Sequence, residues 1–218
     1  MNKDHPTQAV LFREPDQPDL ADRVFRLRKS IFVDKCGWDL RTEGDLERDE
    51  FDDPHAVHCA LLLEDEAIGT FRALRTDRPY LGAVAFPQLA NVHPYPRRSD
   101  YWEITRFGTA DAWSGRHTAR CLYAVMFAFA QRAGATGLVA IADLTYERFL
   151  ASIGIRTRRY GAPQVIGTDR FGTDLMAVAG EIPIAAQSGE RFVRLWNSLE
   201  HVEIIDASEV FGPFRISA

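Results

Sequence analysis

From residue 18 onward, Leu20, Val24, Leu27 and Ile31 recur at three- and four-residue steps, the stripe of an amphipathic helix that Gly37 ends. Residues 39–54 break the pattern: the stretch is strongly charged, carries few apolar positions and reads as a loop or short irregular helix, by default a solvated face. Residues 57–63 and 68–74 are rich in apolar and β-type side chains around Glu64-Asp65-Glu66, which predicts a hairpin. Residues 79–96 hold four prolines and few helix signals, so they read as a long excursion from the sheet.

Residues 101–109 alternate well enough for a strand, and Gly115 precedes a long helix striped by Leu122, Val125, Met126 and Phe129, closed by Gly134 and Gly137. A short buried strand (138–142), a helix (146–151) and two more strands (155–160 and 174–179) follow. This mixed order predicts an α/β sandwich with one central mixed sheet and helices on both faces. With no repeat or composition break to mark a linker, residues 1–218 read as a single domain; the tail, 182–218, stays uninterpreted.

The chain is 46% apolar without any run of about 18 apolar residues, and the first twenty residues lack the basic and apolar regions of a secretory signal. A soluble, cytoplasmic protein without membrane attachment is expected. The formal charge of −5 argues against a nucleic-acid partner. Cys36, Cys59 and Cys121 are widely spaced and odd in number, so they read as ordinary reduced thiols. No metal is implied, because the six histidines show no helical i, i+4 pair and His55/His58 is a weak signal.

The informative feature is an ordered set of polar and aromatic positions. Arg28, Phe32 and Trp38 stand in RKSIFVDKCGW, Asp49 and Asp52 in ERDEFD, Arg72 in GTFRALRT, and Glu103 and Arg106 in WEITRF. Eight separated positions in this order and spacing resemble the acyl-homoserine-lactone (autoinducer) synthase family from about residue 24 to 107, and more weakly to about residue 180. The resemblance implies a fold similar to that of acetyl-coenzyme A dependent N-acetyltransferases (GNAT-like). In that fold the strand at 101–109 and its following helix part from the next strand and open a slot for a phosphopantetheine arm. The helix start, after Asp111 to His117, would then face a phosphate.

The implied reaction has two steps. The α-amino group of S-adenosylmethionine attacks an acyl thioester, and its carboxylate then displaces methylthioadenosine to close a lactone, the quorum-sensing signal. S-adenosylmethionine is a co-substrate, and no prosthetic group is implied. Such a substrate asks for carboxylates against its cationic parts and an arginine against its anionic part, a set that Asp49, Asp52, Glu103 and Arg28 supply. Glu103 is the candidate base, with Thr105 on the same strand face; its rival role is pairing with Arg72 or Arg106. Both arginines should hold carboxylate partners, because an unpaired buried charge is costly. Phe32 reads as a core or lid aromatic, Trp38 as a face for adenine or sulfonium, and Phe107 as a further substrate contact.

By the same resemblance, acyl selectivity belongs to the region of Met126, Ala140, Ile141, Asp143, Leu144 and Phe149. Ala140 aligns where relatives that use 3-oxo chains commonly carry threonine, so a non-oxo acyl group is expected. The donor is either an acyl carrier protein or a coenzyme A thioester, for which Arg116, Arg120, Arg156, Arg158 and Arg159 are candidate contacts. Two other readings stand beside this one: an acetyltransferase-like N-acyltransferase using a different amine, and an inert S-adenosylmethionine-binding relative.

Overall fold

The computed structural model describes residues 6, 8–113 and 116–208. In chain order the elements are β1 (Gln8–Phe12), α1 (Pro18–Arg28), β2 (Thr42–Glu43), β3 (Leu46–Glu47), β4 (Val57–Leu63), β5 (Glu66–Arg75), α2 (Leu81–Ala85) and β6 (Tyr101–Thr109). They continue as α3 (Arg116–Arg132), β7 (Gly137–Asp143), α4 (Leu144–Ser152), β8 (Arg158–Arg159), β9 (Gln164–Thr168), β10 (Asp174–Pro183), α5 (Glu190–Trp196) and β11 (Glu203–Ala207). Nine strands form one mixed sheet in the order β11-β1-β4-β5-β6-β7-β10-β8, with β9 beside β10. The expected α/β sandwich is what forms.

Alternation along the strands sorts side chains onto two faces. Leu11, Cys59, Leu61, Phe71 and Ile104 pack with the apolar face of α3, through Leu122, Val125, Met126 and Phe129. On the opposite face Val10, Phe12, Ala60 and Leu62 pack under Leu20, Val24 and Phe25 of α1. Farther along that face Leu74, Val139, Ala177 and Ala179 lie under Tyr80 and Leu89 of the 79–96 excursion. The helical path of α1 continues to Lys35 with π pitch, and Gly37 ends it in the left-handed region at φ +70°.

Most strands are antiparallel, but β6 and β7 run parallel from Tyr101↔Gly137 to Ile104↔Ala140 and no farther, although both strands continue. The expected parting of these strands is therefore present. A second irregularity lies in β6: the register with β5 shifts between Thr70 and Arg72, opposite Thr105 and Gly108, and Arg106 takes φ +51°. This bulge turns Arg106 to the same face as Thr105 and sends Phe107 to the other.

Several elements depart from expectation. The excursion contains α2, five residues long and too short to carry a helical period. The strand expected at 155–160 shrinks to Arg158–Arg159, because Gly154 turns the chain at φ +93° and Ile155 is drawn into the core beside α3. Gly134, at φ +62°, closes α3, whereas Gly137 opens β7. The tail is part of the fold as far as Ser208: α5 packs Phe192 edge-on against Phe127, and β11 pairs in parallel with β1. Ser114 and Gly115, in the expected phosphate-facing loop, lie outside the described residues.

Candidate active site

Three arginines from three elements converge on the α1 face of the sheet. Arg28 comes from the last turn of α1, Arg72 from β5 and Arg106 from the β6 bulge. Across from them the charged segment brings Glu47, Asp49 and Asp52. Arg28 donates from Nε to Glu47 at 2.6 Å and with both terminal nitrogens to Asp52, at 2.7 and 2.9 Å. Arg72 donates to Asp52 at 2.8 Å, to Asp49, and from Nε to the Thr105 hydroxyl at 3.0 Å. Arg106 donates to both Glu47 oxygens and, at 2.8 Å, to Asp49.

Three cations thus face three anions, and each charge meets at least two of the opposite sign. Arg28, Arg72 and Glu47 are fully buried, and the Asp52 side chain is 1% exposed. Burial of this kind is tolerable because bidentate arginine bonds replace the lost hydration. Burial pushes Asp49 and Asp52 upward, but the adjacent guanidinium groups outweigh it and hold both below the ordinary carboxylate range. His58 lies beneath, its Nε2 3.9 Å from Asp52. Burial pushes its pKa down to about 3, so it stays neutral between the Phe12 and Phe25 rings.

Glu103 stands apart from this lattice. It is fully buried on β6, opposite Leu74 of β5 and Val139 of β7, and pairs with neither Arg72 nor Arg106. One oxygen, Oε1, accepts the Gly82 amide at 2.7 Å; Oε2 has no hydrogen-bond partner among the described residues. Burial pushes its pKa up to about 7, opposed by the amide bonds and by Arg72. A carboxylate poised near neutrality, one strand position before β6 and β7 part, suits proton transfer at the slot.

The model of the autoinducer synthase family matches residues 12–186. The acyl-homoserine-lactone synthase of Aeromonas salmonicida is 31% identical over 206 residues, covering 91% of this chain and 95% of the relative. The chain belongs to the autoinducer synthase family. Among solved structures, TofI, in a ternary complex with an inhibitor and MTA, is 30% identical with a TM-score of 0.71, covering 85% of this chain and 96% of that one. BjaI, a CoA-dependent acyl-homoserine lactone synthase with MTA, shares the fold at a TM-score of 0.79 and 22% identity, over 90% of this chain and 92% of that one.

Set against this family fold, the predicted residues divide. Arg28, Asp49, Asp52, Arg72, Thr105 and Arg106 form one network, so the charged run at 39–54 is not merely a solvated face. Phe32 and Trp38 stack on each other at 5.2 Å beside it, and the Arg106 guanidinium lies 6.0 Å from the Phe32 ring centre. Phe107 is not brought to that group: it stacks on Tyr123 of α3 at 4.1 Å, on the opposite face. The acyl-selectivity candidates scatter too. Met126 is buried within the α3 core and Phe149 faces Tyr123, whereas Ile141 lies on the Glu103 face. Ala140 is half-buried at the last β6–β7 pair. Asp143 caps α4 by accepting the Thr145 and Tyr146 amides, and Leu144 is the first residue of that helix.

Glu47 and Gly82 are the positions that sequence reasoning missed. Glu47 stands two residues before Asp49 in the same charged run, but with Asp49, Asp52 and Glu103 already set against the arginines no charge count singled it out. Gly82 carried no signal either, since its contact with Glu103 spans 21 residues. Of the arginines proposed for the donor, Arg158 and Arg159 are engaged by Glu181 and Glu147.

Proposed function

We propose that this chain makes an N-acyl-homoserine lactone from S-adenosylmethionine and an acyl thioester, with Glu103 as the base. The observation that carries the reading is the isolated, buried Glu103 carboxylate at the point where β6 and β7 part. The amine of S-adenosylmethionine must lose a proton to attack the thioester carbonyl. Oε2 of Glu103 takes that proton, directly or through water, the C–N bond forms, and the C–S bond breaks. The departing thiolate is reprotonated. In the second step the methionine carboxylate attacks its own γ-carbon, and the sulfonium leaves as methylthioadenosine.

In this scheme Asp52 and Glu47 are framework rather than substrate contacts, since the arginines already occupy them. Asp49, whose side chain is 13% exposed, is the member of the lattice open to a cationic ligand. A rigid, charge-balanced lattice holds Asp49 and the Phe32–Trp38 pair in place without reorganising during turnover. For the donor, a cavity of about 350 Å³ lined by Arg120, Arg191 and Arg194 supports a phosphate-bearing carrier, either acyl carrier protein or coenzyme A. Mass spectrometry of extracts from a host expressing the chain tests the reading, since the lactone mass reports activity and acyl group together. Absence of any lactone, with the protein folded and both substrates supplied to the purified enzyme, refutes it.

A further inference from the structure

We propose that Gly82 is a positioning residue for the acyl-transfer step: its backbone amide fixes Oε1 of Glu103, and its lack of a side chain leaves room for the carboxylate to sit there. This inference rests on Glu103 being the base. The geometry is close on every side. The Gly82 amide reaches Oε1 at 2.7 Å, and a β-carbon built on Gly82 would stand 2.7 Å from that oxygen. The same β-carbon would lie 3.2 Å from both Ile141 Cδ1 and Tyr95 Cε1, which leaves little room to move sideways. Any side chain at position 82 therefore displaces the carboxylate rather than the sheet.

The amide is available because of local structure. Gly82 is in the first turn of α2, where backbone N–H groups lack partners within the helix, and Tyr80 before it provides no side-chain cap. Glu103 meets that need from a different strand. The bond has two consequences for chemistry: it orients the carboxylate so that Oε2 remains unpaired, and it favours the charged form over the neutral one. It thereby opposes burial, which alone would drive the carboxyl higher than its value of about 7. Without the amide, Glu103 would be both displaced and more fully protonated at neutral pH.

A merely structural role, with the bond anchoring the excursion, predicts altered stability but an unaltered pH profile. The experiment compares wild type, Gly82→Ala, Glu103→Asp, Glu103→Gln and the Gly82→Ala/Glu103→Gln double variant for kcat, its pH dependence and melting temperature. Gly82→Ala should lower kcat by about 100-fold, the scale expected of an ångström-sized misplacement. It should also move the acidic limb of the kcat profile to higher pH, because the bond that favours ionisation is lost. Glu103→Asp draws the carboxylate back from the amide without touching the excursion, and should change both quantities in the same direction; it decides the matter should Gly82→Ala not fold. In the Glu103→Gln background, adding Gly82→Ala should cost little further kcat.

A folded Gly82→Ala variant with wild-type kcat, or with its acidic limb at or below the wild-type position, overturns the role of Gly82. The same holds if its kcat loss persists in full in the Glu103→Gln background. Near-normal turnover by Glu103→Gln instead overturns Glu103 as the base, a separate failure that is read from that variant alone.

Discussion

Arg106 offers a two-part test, because its side chain and its backbone make opposite demands. Arg106→Ala deletes the bonds to Glu47 and Asp49, leaving Glu47 with Arg28 alone and Asp49 with Arg72 alone. Breaking a buried ion pair from one side costs about 3–5 kcal/mol. For a chain of this size that corresponds to a melting temperature lower by roughly 6–20 °C. The backbone adds a second expectation. At φ +51° the residue occupies the left-handed region, where a β-carbon costs about 1–2 kcal/mol; glycine avoids this but carries about 0.5–1 kcal/mol of extra chain entropy. Arg106→Gly should therefore be more stable than Arg106→Ala by roughly 0.5–1 kcal/mol, the reverse of the usual order within a strand. Equilibrium urea unfolding of both variants measures the difference. A loss below about 1 kcal/mol for Arg106→Ala, or alanine matching glycine, would refute the account of the lattice or of the bulge respectively.

Three further outcomes follow from the same geometry. Asp52 is held below the ordinary carboxylate range, so its contribution to stability is present above about pH 4 and lost as pH falls through the folded value. The stability gap between wild type and Asp52→Asn should accordingly close on acidification, and a gap independent of pH contradicts the ion-pair assignment. Glu103 is shifted the other way, so wild type loses stability as pH rises through about 7. Glu103→Gln should then match or exceed wild type in melting temperature at alkaline pH while kcat drops by about 10²- to 10⁴-fold; a destabilised alkaline variant contradicts the burial argument. Ala140→Val, at the last β6–β7 pair, should favour shorter acyl chains by about 10- to 200-fold in competition between neighbouring donors. If Val139→Ala alone alters the product ratio, the acyl chain lies on the Glu103 face.

What the sequence alone determined was local or carried by ordered spacing. The β4–β5 hairpin, β6 and α3 were legible because the apolar runs and spacing within each segment mark it as buried without reference to any other segment. The charged positions were legible as candidates because their types and intervals resemble those of the autoinducer synthase family, whose model matches residues 12–186. Partnership was not legible. β11 joins β1 across Gln8↔Glu203, and no property of either segment names so distant a partner. Phe107 shows the limit most directly, since period-two counting from Glu103 and Thr105 places all three on one face. The bulge at Arg106 breaks that parity, sending Phe107 to α3 and keeping Arg106 with the lattice. Tertiary structure likewise decided that Asp52 is held between Arg28 and Arg72 while Glu103 stands apart from every arginine of the lattice. Which carboxylate meets which guanidinium depends on how α1, β5 and β6 converge: burial raises the proton affinity of both acids, and only at Asp52 do adjacent guanidinium groups reverse it.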